Sequence, residues 1–146
     1  MSKVIVIEID SEGFKNKVLE IVSKFAPVLS SRYMVLSDGW IKDVSQNKDF
    51  GPISDKAMNK ADAIAWCKKM GGYLPTRDQL ESLQDLKRNN PCCDPIFKDM
   101  KSDWYWTDTP VPGIDGASFV VSLYDGYVSY FYELGKYYVR PCRSSQ

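Results

Sequence analysis

The sequence contains no histidine and carries no net charge, since 19 lysines and arginines balance 19 aspartates and glutamates. The first absence removes the usual general base at neutral pH, any Ser-His or Cys-His nucleophile and most zinc ligand sets. The second leaves no basic stripe to follow a phosphate backbone, so nucleic acid is not an expected partner. Long apolar runs are also missing. Nothing approaches membrane-spanning length, and Val4-Ile5-Val6-Ile7 is interrupted by Glu8 and Asp10 before it could serve as a secretory core. No membrane association is expected, and the expected compartment is the cytoplasm.

Cysteine is sparse. There are four, two of them adjacent at Cys92 and Cys93, where neighbouring residues rarely reach disulfide geometry. In a reducing compartment thiols stay free, and two thiolates without further ligands make an incomplete soft-metal site. Neither a metal nor any other cofactor is expected. At 146 residues the chain can bury roughly two-thirds of its unfolded surface, enough for a core without cross-links.

What is present reads as two segments: residues 1–32, a strand-helix extension, and residues 33–146, the main domain. In the first, the β-branched run Val4 to Ile9 predicts a strand. Phe14, Val18, Ile21, Val22 and Phe25 then recur at helical spacing until Ala26-Pro27 ends the pattern. In the second, Tyr33 to Leu36 predicts a short strand turned by Ser37-Asp38-Gly39, and Asp43 to Ser54 reads as a loop. Lys56 to Met70 predicts a helix with Ala63, Cys67 and Met70 on one face, closed by Gly71-Gly72. Thr76 with Gln79 three positions on forms a capping box, and Leu80, Leu83 and Leu86 form the buried stripe of the helix it opens.

After an irregular stretch from Asn89 to Lys101, Trp104 to Thr107 predicts a strand. Ser118 to Tyr124 and Tyr127 to Glu133 flank an Asp125-Gly126 turn and predict a hairpin, and Tyr137 to Cys142 a last strand. Two helices between an early strand and a late antiparallel meander make an α+β domain.

The order Ser37-Asp38-Gly39, Ala61-Asp62-Ala63 through Cys67, Leu74-Pro75-Thr76 with Leu80, Trp104-Tyr105-Trp106-Thr107 and Tyr138-Val139-Arg140 resembles a bacterial and phage domain family. That family is typified by the C-terminal domain of a collagen-like adhesin. The likeness covers about 110 residues, with Leu-Pro-Thr and the leucine after it as the most specific part. It departs from the family's usual Trp-Arg at Gly72-Tyr73, from its glutamate at Gln79 and from its Gly-Leu-Xaa-Trp at Val44-Ser45-Gln46.

The resemblance implies a C-type-lectin-like fold, with two helices and a twisted antiparallel sheet, that displays variable loops for binding proteins or glycans. It also implies that Cys67 and Cys142 lie close together. They would be a disulfide in an exported protein, two packed thiols in a reducing one, or, for Cys142, a catalytic thiol by similarity to the formylglycine-generating enzymes. The calcium-binding tripeptides of sugar-binding C-type lectins are absent here.

The candidate site rests on the surplus of aromatic side chains. Both faces of the predicted hairpin carry them, more than one core face needs. Tyrosine and tryptophan give large contact area at small entropy cost. The expected binding residues are Trp104, Trp106, Asp108, Tyr124, Tyr127, Tyr130 and Tyr132. The expected function is non-catalytic recognition of a protein partner by a cytoplasmic regulator or phage-encoded inhibitor. A glycan-binding or virion receptor-binding domain is the alternative, and a phage-encoded protein is expected in the host cytoplasm or the virion. Thiol-dependent oxidation at Cys142 is the third reading.

Overall fold

The computed structural model describes residues 32–146, which form one compact unit. The strand and helix expected between Val4 and Phe25 lie outside the described residues.

Among the described residues, seven strands and two helices follow one another as β1 (Tyr33–Val35), β2 (Ile41–Asp43), β3 (Lys48–Phe50), α1 (Lys60–Lys69), α2 (Arg77–Glu81), β4 (Trp104–Pro110), β5 (Ala117–Ser122), β6 (Val128–Tyr132) and β7 (Cys142–Ser144). The class is α+β, as expected, but the strands form two antiparallel sheets. One has the order β1-β2-β3-β7 and the other β4-β5-β6. An isolated bridge extends each: Tyr73 to Cys142 on the first sheet, and Tyr138 to Tyr105 beside β4 on the second.

Local chemistry explains where the helices begin and end. Asn59, not a residue near Lys56, opens α1, because its side chain accepts the Asp62 N–H. The other end closes as a Schellman motif. Gly71 takes φ +87°, while the Gly71 and Gly72 amides donate back to the Lys68 and Cys67 carbonyls. Thr76 and Gln79 form the capping box of α2 with both reciprocal bonds made. That helix is a single turn and a half. Leu80 and Leu83 are buried as expected, but Leu86 lies beyond the helix end and is 78% exposed.

The stretch expected to be a loop contains β3. Its Lys-Asp-Phe sequence has one apolar residue, yet β3 is held between β2 and β7, and its polar Asp49 is buried against Arg143 and Ser145. The last strand is shorter and later than expected. Pro141 interrupts the run after Val139-Arg140, and pairing with β3 resumes at Cys142.

The β4-β5-β6 sheet is covered on both sides, because alternate residues of β5 face opposite ways. Val121 joins Leu80, Leu83 and Tyr105 in one core cluster, on the α2 side. Val120 joins Ala63 and Cys67 of α1, with Trp106 and Leu74, in the other. Much of the aromatic surplus noted in the sequence is therefore absorbed by two cores rather than one.

Gly72 shows how tightly these parts meet. A Cβ there would lie 2.5 Å from the Cys142 carbonyl oxygen and 3.1 Å from the Trp40 indole. Gly72→Ala is expected to cost about 2 kcal/mol by overpacking against backbone that cannot swing aside. Urea unfolding at unchanged m-value would measure it. A variant with unaltered midpoint would show that the Tyr73–Cys142 junction yields freely.

Candidate functional site

The β5–β6 turn is built by side chains that bond their own backbone. Ser122 Oγ donates to Asp125 Oδ1 at 2.9 Å, and the Tyr124 N–H donates to Ser122 Oγ at 3.2 Å. Gly126 supplies the left-handed corner at φ +91°. From outside the hairpin, Gln84 Nε2 donates to the Ser122 carbonyl at 2.8 Å, and the Asn90 and Cys92 amides donate to Tyr124 and Leu123. A rigid turn is thus anchored to the segment that follows α2.

This frame displays four exposed tyrosines. Tyr124 and Tyr127 stand at the turn, and Tyr130 and Tyr132 follow on β6, with Tyr127 68% and Tyr132 64% exposed. Tyr130 and Tyr132 are two apart on one strand and share the face that carries Phe119, over which Arg77 of α2 lies 4.5 Å from the ring centroid. No hydroxyl of these four tyrosines meets a partner among the described residues. Each presents an apolar ring and an uncommitted polar tip.

The other expected site residues go elsewhere. Trp106 is wholly buried, its Nε1 donating to the Met58 carbonyl at 2.8 Å and its indole edge-on to Tyr137. It is a core residue and offers nothing to a partner. Trp104 is half-buried on the same side of the sheet, edge-on to Phe131 at 5.7 Å. Asp108 is exposed, but near the start of α2, where its N–H donates to the Pro75 carbonyl. Of the seven residues expected from sequence, the structure gathers the four tyrosines along one hairpin and separates the other three.

All four cysteines are free and buried. Burial pushes the Cys67 thiol up to about 12 and, against the Tyr73 hydroxyl, the Cys142 thiol up to about 11. Cys67 and Cys142 meet through one short segment: Gly72 N–H donates to the Cys67 carbonyl, and Tyr73 exchanges backbone bonds with Cys142. Burial likewise pushes Cys93 up to about 12. Such thiols are protonated at neutral pH and enclosed, the opposite of a reactive cysteine's surroundings.

One polar cluster had no signal in the sequence. Lys60 Nζ donates to Ser118 Oγ, which donates to Glu133 Oε1 at 3.0 Å, and Lys60 is 7% exposed. Lysine is rarely buried, so nothing in the sequence marks this one out. Ser118 is fully enclosed and Glu133 partly exposed, and the cluster ties the start of α1 to the β5–β6 pair.

Among the described residues, no helix is long and apolar enough to cross a membrane, and no group of three or more acidic or cysteine side chains is placed to hold a metal. The family model described as "Lcl C-terminal domain" matches residues 39–143, and no curated protein matches the chain.

Proposed function

From the premise that the chain belongs to the Lcl C-terminal domain family, we propose that it is a non-catalytic binding protein with a C-type-lectin-like fold whose ligand is another protein. The observation that carries this reading is the row of tyrosines on a braced hairpin, exposed without hydroxyl partners among the described residues. Tyrosine is enriched at interface hot spots because a rigid ring and a hydroxyl recognise both apolar and polar groups at low entropy cost. The enclosed, protonated thiols support a role without catalysis. The absence of charge bias suits a partner recognised by shape, and the setting we favour is a cytoplasmic regulator or a phage-encoded inhibitor.

The test separates binding from folding. Tyr127→Ala and Tyr132→Ala are expected to weaken partner affinity about 30-fold each, the effect of a hot spot worth about 2 kcal/mol. Their stability should change by about 0.5 kcal/mol or less, because each side chain is mostly in water. Capture from host lysate followed by titration of the purified partner would read the first, and thermal unfolding the second. A domain that captures only glycan, or variants that bind as well as the wild type, would overturn the proposal.

A further inference from the structure

β6 is the outer strand of its sheet. The opposite edge, β4, is covered, since the Trp106 amide and Trp104 carbonyl bond Tyr138. Along β6, the Ser122 N–H to Tyr127 carbonyl and Glu133 N–H to Gly116 carbonyl bonds fix which residues face β5. Odd-numbered residues face inward, so the backbone N–H and C=O groups of Val128, Tyr130 and Tyr132 point away from the sheet. Among the described residues, only the Tyr132 carbonyl takes a bond, from the Gly135 amide.

Exposed edges are normally blunted by lysine, proline, an inward charge or a bulge. Val-Ser-Tyr-Phe-Tyr has none of these, and its pairing with β5 is regular. We propose that a second copy of this chain pairs antiparallel along β6, about a two-fold axis at Tyr130.

The register is self-complementary. Tyr130 faces Tyr130 of the other copy, and Val128 faces its Tyr132, so each outward N–H meets an outward C=O, the Tyr132 carbonyl being shared with the Gly135 amide. Charge agrees with it. The strand itself is uncharged and the chain is neutral, so the copies do not repel. Exposed Asp125 precedes the strand and exposed Lys136 follows it, with Glu133 between already paired to Lys60, so antiparallel pairing brings the Asp125 of each copy towards the Lys136 of the other. β1, a three-residue edge strand, offers a shorter ladder.

Pairing of this kind is carried by main-chain groups, so the tyrosine rings remain on the sheet face. The two three-stranded sheets then form one continuous six-stranded sheet with a doubled tyrosine face. An interface this narrow lies at the low end of specific ones, about 1,000 Å² in total, so the dimer is concentration-dependent. The inference goes beyond the proposed partner binding and can fail without it.

Sedimentation of the full chain over a concentration series should show mass rising from one to two copies. Over the same range, amide exchange at Val128, Tyr130 and Tyr132 should slow, while Ser129 and Phe131 stay protected throughout. Tyr130→Lys sets two ammonium groups across the axis, and Tyr130→Pro deletes an outward N–H that β5 does not use. Both should remain one copy, with melting behaviour confirming the fold, while Met34→Lys on the exposed β1 edge still dimerises. A wild type that stays single at its highest soluble concentration overturns the proposal, as does a dimer that survives Tyr130→Lys. A single copy whose Tyr130 amide is already protected would also overturn it and assign the edge to another segment of the chain. Loss of the dimer with partner binding intact would leave the protein-recognition reading standing.

Discussion

Trp106→Ala is expected to destabilise the domain by about 3–5 kcal/mol, the usual range for deleting a large buried aromatic. The side chain is wholly buried between α1 and the β4-β5-β6 sheet, against Val120, Val139 and the edge of Tyr137. Its removal opens a cavity among Ala63, Leu74, Val120, Val139 and Tyr137. It also leaves the Met58 carbonyl without the indole N–H that it accepts at 2.8 Å. A domain of this size has about 5–15 kcal/mol to lose, so the variant should unfold at a much lower urea midpoint. Trp106→Phe should recover most of the packing and lose chiefly the hydrogen bond. If the alanine variant kept its midpoint and lost a binding activity instead, Trp106 would be a surface residue and the packing described for this sheet would be wrong.

That contrast shows which parts of the protein local sequence could specify. The capping box at Thr76, the glycine stop after α1 and the Asp125-Gly126 hairpin are each complete within a few residues, and each forms as expected. The family, too, was legible from short motifs such as Leu74-Pro75-Thr76. What local sequence could not supply was the second helix layer. Once α2 and α1 cover opposite faces of one small sheet, aromatic residues on both faces are explained, and Trp106 passes from candidate site to core. β3 escaped for a related reason, because part of its stability comes from β7, more than ninety residues on, and from Arg143 bonding the buried Asp49. Leu86 erred the other way. A leucine at helical spacing predicts burial only if the helix continues, and α2 stops at Glu81. The exposed tyrosines were visible as a surplus, but the exposure of Tyr130 and Tyr132 follows from β6 being an edge, and that of Tyr124 and Tyr127 from the turn.

Asp99→Ala is expected to cost about 2 kcal/mol, and the cost should fall when Arg140→Met is added. Arg140 is 1% exposed, with its guanidinium over Phe97, one Nη donating to the Gly51 carbonyl at 2.8 Å and the other to Asp99. Its Nε has no partner, so this cation is under-compensated even in the intact protein. Removing one partner of a fully buried pair costs about 3–5 kcal/mol, mostly through the charge left behind. Here Asp99 is 45% exposed, so water entering the vacated space should reduce the penalty below that range. Methionine at 140 keeps much of the volume and removes the stranded charge, while leaving the Gly51 carbonyl unbonded. If the double variant proved less stable than Asp99→Ala alone, the hydrogen bond to Gly51 would outweigh the buried charge.

Acidity offers a second readout of the same pair. Burial alone would raise the Asp99 carboxyl, but the Arg140 charge and hydrogen bond outweigh it and hold the group below its ordinary value. Its stabilising contribution is therefore fully present above the unfolded-state value, about 3.9, and is lost as pH falls through the lower folded value. Asp43, fully enclosed and held down against burial by Arg32, Ser45 and Gln46, adds to the same acid limb. Asp99→Ala should flatten that limb without abolishing it. An acid limb unchanged in the variant would mean that Asp99 does not pair with Arg140 in solution.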